Sequence, residues 1–322
     1  MRTELSRRML SLAVFGLAVV PQMAHAKMRT LTVRSNTLWQ TTWVNPGTRL
    51  VLENNVTLSA KKQLVLNGGV LVVRQRLVIP SGQAVIVYDG ELDGDGEVEV
   101  SHGAYLYFAG GRSKHLKNIT IVNKGQVSWG GMGRIDCDSG TTFRNDGTMY
   151  LSNGKPSHDR GEAQFINRGM IMDVSRGQGA TIDGNLINYG RIELNEADAP
   201  TPRRSHRGRK KPGSPMAMPT PSLVVITGTF GSSSGTFQTT IRSDYYGQLY
   251  TSSSVSLGGT FKYVLDPTSH VPPNANVYDI IVAGAIGSSN FSSFTSTPTP
   301  FLFATRKYPT TSPKKFQLYS YN

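Results

Sequence analysis

The chain has 322 residues, a single cysteine and a formal net charge of +13 at pH 7. One cysteine excludes an intramolecular disulfide, so packing and hydrogen bonds must hold the fold together. The positive charge is concentrated in two segments, 203–211 and 306–315, which argues against a general polyanion-binding face.

Residues 1–26 have the pattern of an export signal. Arg2, Arg7 and Arg8 precede the apolar run 10–20, and the small residues before the junction predict cleavage after Ala26. The apolar run is too short to span a bilayer. We expect a secreted or cell-surface protein without a transmembrane segment in its mature form, passing through the periplasm if the host is bacterial. An uncleaved anchor and a twin-arginine export motif are the alternatives.

The segment 27–50 precedes the regular part of the sequence and contains Trp39 and Trp43. A stack of strands has open ends, which natural solenoids cover. We expect this segment to be an N-terminal cap, with its tryptophans closing over the first coil.

A short phrase returns every 21 or 22 residues between Val56 and Leu194: apolar residues, a glycine, then a strand-like apolar run. A period of this size is typical of a stacked repeat. The glycines are Gly82, Gly103, Gly125, Gly147, Gly169 and Gly190. The last four follow, two residues later, the asparagines Asn123, Asn145, Asn167 and Asn188. A second, apolar track consists of Val56, Val78, Val100, Ile121, Phe143, Phe165 and Ile187.

Coils of this length bury their apolar side chains only when they stack, with each strand paired to its counterpart one coil away. Alternation within the runs, as at Tyr105 and Tyr107, predicts β-strands, and nothing repeats at the helical period. The glycines suit corners of the chain. The asparagines suit an internal ladder of side-chain amides, and the alternative is a row of ligand contacts.

The N-x-G-x-apolar phrase at this spacing resembles the right-handed parallel β-helix of secreted adhesins, autotransporter passenger domains and pectin-lyase-like proteins. The resemblance implies an all-β solenoid with coils of about 22 residues over 51–195. It implies little about activity, because the same architecture carries enzymes, adhesins and inert stalks.

The segment 89–99 is the one acidic concentration in the chain. The alternating residues Asp93, Asp95 and Glu97 suit either a calcium ion or a solvated turn between strands. Asp136 and Asp138 leave the same two alternatives open.

Residues 196–222 interrupt the repeat with prolines and a basic cluster, which predicts an exposed loop or an interdomain linker. Such a cluster suits contact with a cell surface or an acidic polysaccharide, and an unspecific solvated loop is the alternative. We expect no nucleic acid as a partner of an exported chain. The cluster, which we name the basic contact loop, consists of Arg203, Arg204, Arg207, Arg209, Lys210 and Lys211.

Strand-like runs resume from residue 223. The phrases at 246–249, 257–261 and 278–281 resemble the closing coils of bacterial passenger-type β-helices. The resemblance implies terminal coils and a cap over 223–294. We expect residues 295–322 to be a tail or a hairpin over the last coil.

The sequence contains no G-x-S-x-G elbow, no phosphate loop, no pectinase signature and no histidine pair at metal-ligand spacing. Asp173, Asp183 and Arg176 would meet on one coil, but ion-paired surface residues explain them as well. We therefore expect a non-catalytic protein of surface adhesion, coat or matrix structure, or glycan contact, without cofactors. The alternative is a polysaccharide lyase or glycoside hydrolase, which a groove with clustered Asp, Lys and Arg on one outer sheet would favour.

Overall fold

A computed structural model describes residues 28–38, 40–152, 162–175, 179–194, 220–241, 245–265, 277–288, 290–297, 303–308 and 313–320. The predicted export signal with Ala26, residue Trp39 and the basic contact loop lie outside the described residues. The described part is all β, and its coils stack in parallel about 22 residues apart. The predicted fold class, a parallel β-solenoid, is therefore confirmed.

The strands follow one another in chain order around the solenoid. The first coils contain β1 (Arg29–Val33), β2 (Thr37–Leu38), β3 (Thr42–Val44), β4 (Thr48–Leu52), β5 (Asn55–Leu58), β6 (Gln63–Val73), β7 (Arg76–Ile79), β8 (Ala84–Asp93), β9 (Glu97–Val100) and β10 (Tyr105–Phe108). The middle coils contain β11 (Lys114–Lys117), β12 (Thr120–Asn123), β13 (Gln126–Trp129), β14 (Ile135–Cys137), β15 (Thr142–Asn145), β16 (Thr148–Leu151), β17 (Gln164–Asn167), β18 (Met170–Asp173), β19 (Ala180–Ile182), β20 (Asn185–Asn188) and β21 (Arg191–Leu194). The last part contains β22 (Thr220–Ile226), β23 (Phe230–Ser232), β24 (Thr236–Ile241), β25 (Tyr245–Ser256), β26 (Thr260–Leu265), β27 (Val277–Ile286), β28 (Ser293–Thr297), β29 (Phe303–Tyr308) and β30 (Lys314–Ser320).

The strands stack in three columns, which we name sheets I, II and III in the order in which each coil visits them. Sheet I contains β1, β4, the second halves of β6 and β8, β11, β14, β19, β22 and the first parts of β25 and β27. Sheet II contains β2, β5, β7, β9, β12, β15, β17, β20, β23 and the end of β25. Sheet III contains β3, the first halves of β6 and β8, β10, β13, β16, β18, β21, β24, β26 and β28.

Alternate side chains of each strand point inward and form one narrow core. Aromatic rings stack inside it, with Trp129 at 5.1 Å from Phe108 and at 5.4 Å from Phe143, centroid to centroid. A second aromatic group near the C-terminal end includes Phe261 and Phe291, whose centroids are 5.3 Å apart. Apolar burial of this kind supplies most of the stability, because a single coil has no core of its own.

The apolar track of the sequence coincides with the inward column of sheet II at four of its seven positions. The inward column of sheet II runs through Val56, Leu77, Val98, Ile121, Phe143, Phe165 and Leu186. Val78 and Ile187 are instead outward, whereas Val100 is inward but two positions further along its strand than Val98. The coil between Arg76 and Glu97 has 21 residues and the coil between Glu97 and Thr120 has 23, and a slip of one residue moves a side chain to the other face.

The two ends of the stack are built differently. At the N-terminal end, β1, β2 and β3 pair in parallel with β4, β5 and β6 and so form a coil of the stack. Trp43 lies on the outside of this coil with 52% of its surface exposed. At the other end β29 and β30 form an antiparallel hairpin, and β30 pairs with β27. Phe316 on β30 is buried against Phe261 and Phe291.

Within the described residues, sheet I has no strand between β14 and β19, because residues 153–161 of the intervening coil lie outside them. Side chains bond the backbone on both sides of this interruption. The indole Nε1–H of Trp129 donates to the Thr181 carbonyl at 3.0 Å, and the Cys137 amide donates to a carboxylate oxygen of Asp183 at 2.9 Å. Burial raises the pKa of the Cys137 thiol well above its usual value, with a further contribution from Asp183.

Candidate functional site

The corners between sheets II and III change their form along the solenoid. The corners after β7 and β9 have four residues, and Gly82 and Gly103 adopt positive φ there. The corners after β12, β15, β17 and β20 have only two residues, a variable residue followed by a glycine. In the short form the side-chain oxygen of Asn123 accepts a hydrogen bond from the Gly125 amide at 3.0 Å. This closes the turn locally and explains why asparagine precedes the glycine by two residues.

The four asparagines form a column inside the solenoid. The side-chain amide of Asn123 donates to the side-chain oxygen of Asn145 at 2.7 Å, Asn145 to Asn167 at 2.7 Å, and Asn167 to Asn188 at 2.7 Å. A second amide hydrogen of each of the first three bonds the backbone of the next coil, with acceptors Thr148, Met170 and Arg191. All four side chains are buried, so their hydrogen bonds stabilise the stack and leave no amide exposed to a ligand.

The glycines of the short corners lie directly on one another. A Cβ added to Gly147 would lie 2.3 Å from the Gly125 carbonyl oxygen, and one added to Gly169 would lie 2.1 Å from that of Gly147. A Cβ added to Gly190 would lie 2.2 Å from the Gly169 carbonyl oxygen. Gly82 and Gly103 belong to a different column, because Ala104, not Gly103, occupies the position opposite Gly125. The six glycines of the sequence period therefore serve two kinds of corner.

A shallow groove of about 490 Å³ runs along these corners, parallel to the solenoid axis. Gly125, Gly147 and Gly169 line it, and the absence of side chains there lets a ligand approach the backbone. The other lining residues are His102, Gly103, Lys124, Gln126, Asp146, Thr148, Met170 and Arg191.

Each charged side chain of the groove already has an oppositely charged partner. Lys124 lies 2.9 Å from a carboxylate oxygen of Glu99, and Asp146 lies 2.8 Å from Arg144. Arg191 pairs with Glu193. The groove therefore presents neutralised pairs together with amide, hydroxyl and thioether groups.

The groove adjoins the outer face of sheet III, whose described strands carry no outward charged side chain from Trp43 to Met172. One outward column consists of Trp43, Val65, Ile86, Tyr107, Ser128, Tyr150 and Met172, of which Val65 is covered by its neighbours. The column beside it consists of Gln63, Ala84, Tyr105, Gln126, Thr148 and Met170. We name these two columns the uncharged face.

Two tyrosine rings stack on each other on the uncharged face. The rings of Tyr105 and Tyr107 are parallel within 4°, with centroids 5.7 Å apart. Burial raises the pKa of Tyr107, and the neighbouring Tyr105 raises it further, so its phenol stays neutral and able to donate a hydrogen bond. The first charged pair on the outside of sheet III is Arg191 with Glu193 in the coil after Met172.

The outer face of sheet I contrasts with the uncharged face. Its charged side chains pair across coils: Lys117 lies 2.7 Å from Glu91, Arg49 lies 3.7 Å from Asp93, and the imidazole of His115 lies 3.7 Å from Asp136. The hydrogen bond from Lys117 to Glu91 raises the pKa of the lysine. This cluster of acids and bases is the second chemically distinctive region.

Sheet II carries its own ion-pair cluster around Glu99. Its carboxylate bonds Arg76 and lies 2.9 Å from Lys124, while Ser101 donates to it at 3.2 Å. Burial by itself would raise the pKa of Glu99, but the hydrogen bonds from Lys124 and Arg76 outweigh it and lower the pKa. The carboxylate is thus held ionised.

The acidic residues singled out in the sequence lie apart or are paired with arginines. Asp93 ends a strand of sheet I, Glu97 begins one of sheet II, and Asp95 lies in the corner between them. Their respective partners are Arg49, Arg74 and Arg76. Among the described residues no group of three or more His, Cys, Asp or Glu side chains is placed to hold a metal ion.

Asp136 and Asp138 have different surroundings. Asp136 lies 3.3 Å from Arg134, whereas Asp138 accepts hydrogen bonds from the Gly140 amide and the Thr141 hydroxyl and so stabilises a turn.

Asp173 and Asp183 are buried and not on the surface, which corrects the interpretation made from the sequence. Asp173 faces inward at the end of β18 and accepts a hydrogen bond from the Ser222 hydroxyl at 2.8 Å. Asp183 accepts one from Thr227 at 3.0 Å, besides that from Cys137. Arg176 lies outside the described residues.

The ends of the segment that contains the basic contact loop are described, although the loop is not. β21 ends at Leu194 in sheet III, and β22 begins at Thr220 in sheet I, two residues before the predicted end of the linker. The connections at 176–178, 242–244 and 266–276 also lead from sheet III to sheet I. Insertions into solenoids commonly collect on one side, often the side that binds.

Fold and site together define a parallel β-solenoid with one long uncharged outer face. Comparison with known proteins gives no match among family models, curated proteins or solved structures. No helix in the described ranges is long and apolar enough to cross a membrane.

Proposed function

We propose that the protein is an exported, non-catalytic β-solenoid that contacts surface glycans through the uncharged face. The observation that carries this proposal is the unbroken column of uncharged outward residues from Trp43 to Met172, in a chain whose net charge is +13. The sequence supports the export part of the proposal through the signal-like residues 1–26.

A continuous column of uncharged, partly exposed apolar and aromatic side chains suits a contact site. Tyrosine offers an apolar ring and a polar hydroxyl on one side chain, and the neighbouring Gln126, Ser128 and Thr148 add hydrogen-bonding groups. A sugar ring has the same two kinds of surface, namely C–H faces and hydroxyl edges. The chemistry of the face therefore suits a glycan.

The geometry suits a ligand that is itself a repeat. Strands in adjacent coils lie about 4.8 Å apart, so equivalent outward side chains recur at regular intervals along the axis. The asparagine column and the stacked glycines fix the coils relative to one another. A rigid regular surface loses little conformational entropy when a long polymer binds along it.

Binding of the purified mature chain to intact cells and to immobilised polysaccharides tests the proposal. Replacement of Tyr107 and Tyr150 together by alanine is expected to abolish most of the binding. Tyr250→Ala is the matched control, since Tyr250 is an exposed tyrosine on sheet I. Binding to no polysaccharide and to no cell surface would refute the proposal, and equal losses in both variants would remove the uncharged face from it.

The same assay examines the basic contact loop. Neutral replacements from Arg203 through Lys211 are expected to weaken binding to acidic surfaces if the loop contributes an electrostatic contact. Unchanged binding to acidic surfaces would remove the loop from the proposal while leaving the uncharged face in place.

One observation favours the second candidate function, a polysaccharide lyase or hydrolase. The outer face of sheet I carries acids and bases close together, with Glu91 at 2.7 Å from Lys117 and Asp136 at 3.7 Å from His115. These groups are held in ion pairs, which is also how a purely structural surface uses them. Release of reducing ends or unsaturated sugars from polysaccharides, lost in Glu91→Gln, would establish the enzyme; absence of turnover across neutral and acidic substrates would exclude it.

A further inference from the structure

We infer that the ligand of the uncharged face is an uncharged polysaccharide, whose chain lies parallel to the solenoid axis with sugar rings stacked on Tyr107 and Tyr150. This inference rests on the proposed function and names the class of glycan that the site takes. It differs from the expectation drawn from the basic contact loop, which favours an acidic glycan.

The charges around the site select against an acidic chain. No outward side chain of the uncharged face is a cation, so a carboxylate or sulfate placed on it would lose water without gaining a partner. The groove beside it contains the cations Lys124 and Arg191, but these already form ion pairs with Glu99 and Glu193, respectively. Asp146 in the same groove is paired with Arg144 and offers an anion no partner. An uncharged surface is complementary to an uncharged polymer.

The spacing of the aromatic residues fits a chain and not a single sugar. Tyr107, Ser128 and Tyr150 occupy equivalent positions in three successive coils, so the two tyrosines are about 9.6 Å apart along the axis. That interval is on the scale of a disaccharide unit. A ring stacked on each tyrosine leaves the intervening sugar above Ser128, where its hydroxyls meet a hydroxyl side chain.

Hydrogen-bonding groups lie beside the stacking column on the side of the groove. Gln126 and Thr148 are the outward neighbours of Ser128 and Tyr150, and both line the groove. The glycines Gly125 and Gly147 keep the wall of the groove low, so the edge of a sugar chain reaches these side chains without obstruction. Stacking and hydrogen bonding thus act on the face and on the edge of the same chain.

Two oligosaccharides of equal length distinguish the classes: a neutral β-1,4-glucan hexasaccharide and an acidic galacturonate hexasaccharide, measured by calorimetry with the mature chain. We expect the neutral probe to bind with an affinity that does not change between low and high salt. Replacement of Tyr107 and Tyr150 by alanine is expected to lower that affinity about tenfold or more, because two ring contacts are lost. Replacement of both by phenylalanine should keep the affinity within about threefold of wild type, since the rings remain. Tyr250→Ala, at an exposed tyrosine of sheet I, should leave it unchanged.

A second measurement uses the unaltered protein, so that the test does not depend on the folding of a variant. Saturation with the neutral probe is expected to protect Tyr107 and Tyr150 from nitration, as mapped by mass spectrometry, and to leave Tyr250 as reactive as before. Binding of the acidic probe alone, weakened by salt and unaffected by the tyrosine changes, would overturn this inference while the proposed glycan contact stands. Failure of both probes and of every polysaccharide and cell surface would refute the proposed function itself.

Discussion

The side-chain amide of Asn145 donates a 2.7 Å hydrogen bond to the side-chain oxygen of Asn167, its counterpart in the next coil. Asn145 also accepts an equivalent bond from Asn123. Because both groups are buried, each bond links two coils in surroundings where water cannot replace it. The column therefore fixes the register of sheet II at the corner that borders the groove.

Replacement of Asn145 by alanine removes the middle of this column. The amide of Asn123 and the oxygen of Asn167 each lose a partner, and the Met170 carbonyl loses its donor. Since each buried orphaned group costs about 1–3 kcal/mol, we expect the free energy of unfolding to fall by roughly 3 kcal/mol. Denaturant unfolding monitored by circular dichroism measures it.

Asn188→Ala is the control for this prediction. Asn188 ends the column, and its own amide makes only long bonds of 3.4 Å to Ser232 and 3.5 Å to Thr236. We expect a clearly smaller loss of stability than in Asn145→Ala. An equal or larger loss in Asn188→Ala would contradict the idea that the interior of the column carries its strength.

Gly147→Ala tests the stacking of the short corners. The added Cβ would lie 2.3 Å from the Gly125 carbonyl oxygen, a backbone atom that cannot move without disturbing its own coil. We expect a loss of about 2 kcal/mol or more in the free energy of unfolding, as for other overpacked sites. In Gly231→Ala the added Cβ meets nothing within 4 Å, so that variant should be as stable as wild type or slightly more stable. Equal thermal midpoints for the two variants would refute the steric argument.

The period of the sequence was enough to predict parallel coils, because glycine and asparagine recur where two-residue corners recur. It was not enough to assign inward and outward positions throughout. The coil between Glu97 and Thr120 has two residues more than the coil before it, and the corner after β9 has two residues more than the corner after β12. Val78, 22 residues after Val56, is outward because β5 and β7 pair at a spacing of 21 residues.

The uncharged face was not predicted, because it contains no motif. Its members are ordinary residues such as Tyr107, Ser128 and Tyr150, and only their register across three strands makes them neighbours. The available signal was the lack of charge at alternate positions of the runs that follow each corner. Ion pairs such as that of Arg49 with Asp93 could not be predicted from the sequence for the same reason, since the two residues lie two coils apart.

Trp129→Phe tests the side-chain hydrogen bond at the interruption of sheet I. Trp129 is buried, and its indole N–H donates to the Thr181 carbonyl at 3.0 Å. Phenylalanine keeps an aromatic ring but removes the donor and part of the volume, so we expect a loss of about 2 kcal/mol or more. Trp43→Phe, at a position that is 52% exposed, should change the free energy of unfolding by less than about 0.5 kcal/mol. A similar effect of both substitutions would show that the hydrogen bond to Thr181 contributes little.

Lys114 is a buried lysine whose ammonium group donates to the Arg112 carbonyl at 2.8 Å. Burial lowers its pKa below the usual 10.5, an effect that the charge of Asp89 opposes. The folded protein therefore releases this proton at a lower pH than the unfolded chain. Between the lowered pKa and 10.5 the unfolded state binds more protons, so stability rises with pH across that window.

Lys114→Met removes this dependence. Methionine has a similar shape and no charge to bury, so we expect the free energy of unfolding at pH 7 to equal that of wild type or to exceed it by up to about 2 kcal/mol. As the pH rises towards 10.5, wild type should gain stability relative to the variant. Unfolding midpoints of both proteins at a series of pH values measure the difference.

Lys117, on the same strand, provides a control of opposite sign. Its hydrogen bond to Glu91 raises its pKa above 10.5, so the folded state holds this proton more tightly than the unfolded chain does. The contribution of Lys117 is complete below 10.5 and is lost as the pH rises through the raised pKa, and it is small because the side chain is half exposed. Relative to Lys117→Met, wild type should therefore lose stability at alkaline pH, whereas relative to Lys114→Met it should gain. If the stability of wild type relative to both variants changed in the same direction as the pH rises, the inward position of Lys114 and the outward position of Lys117 would not explain their protonation.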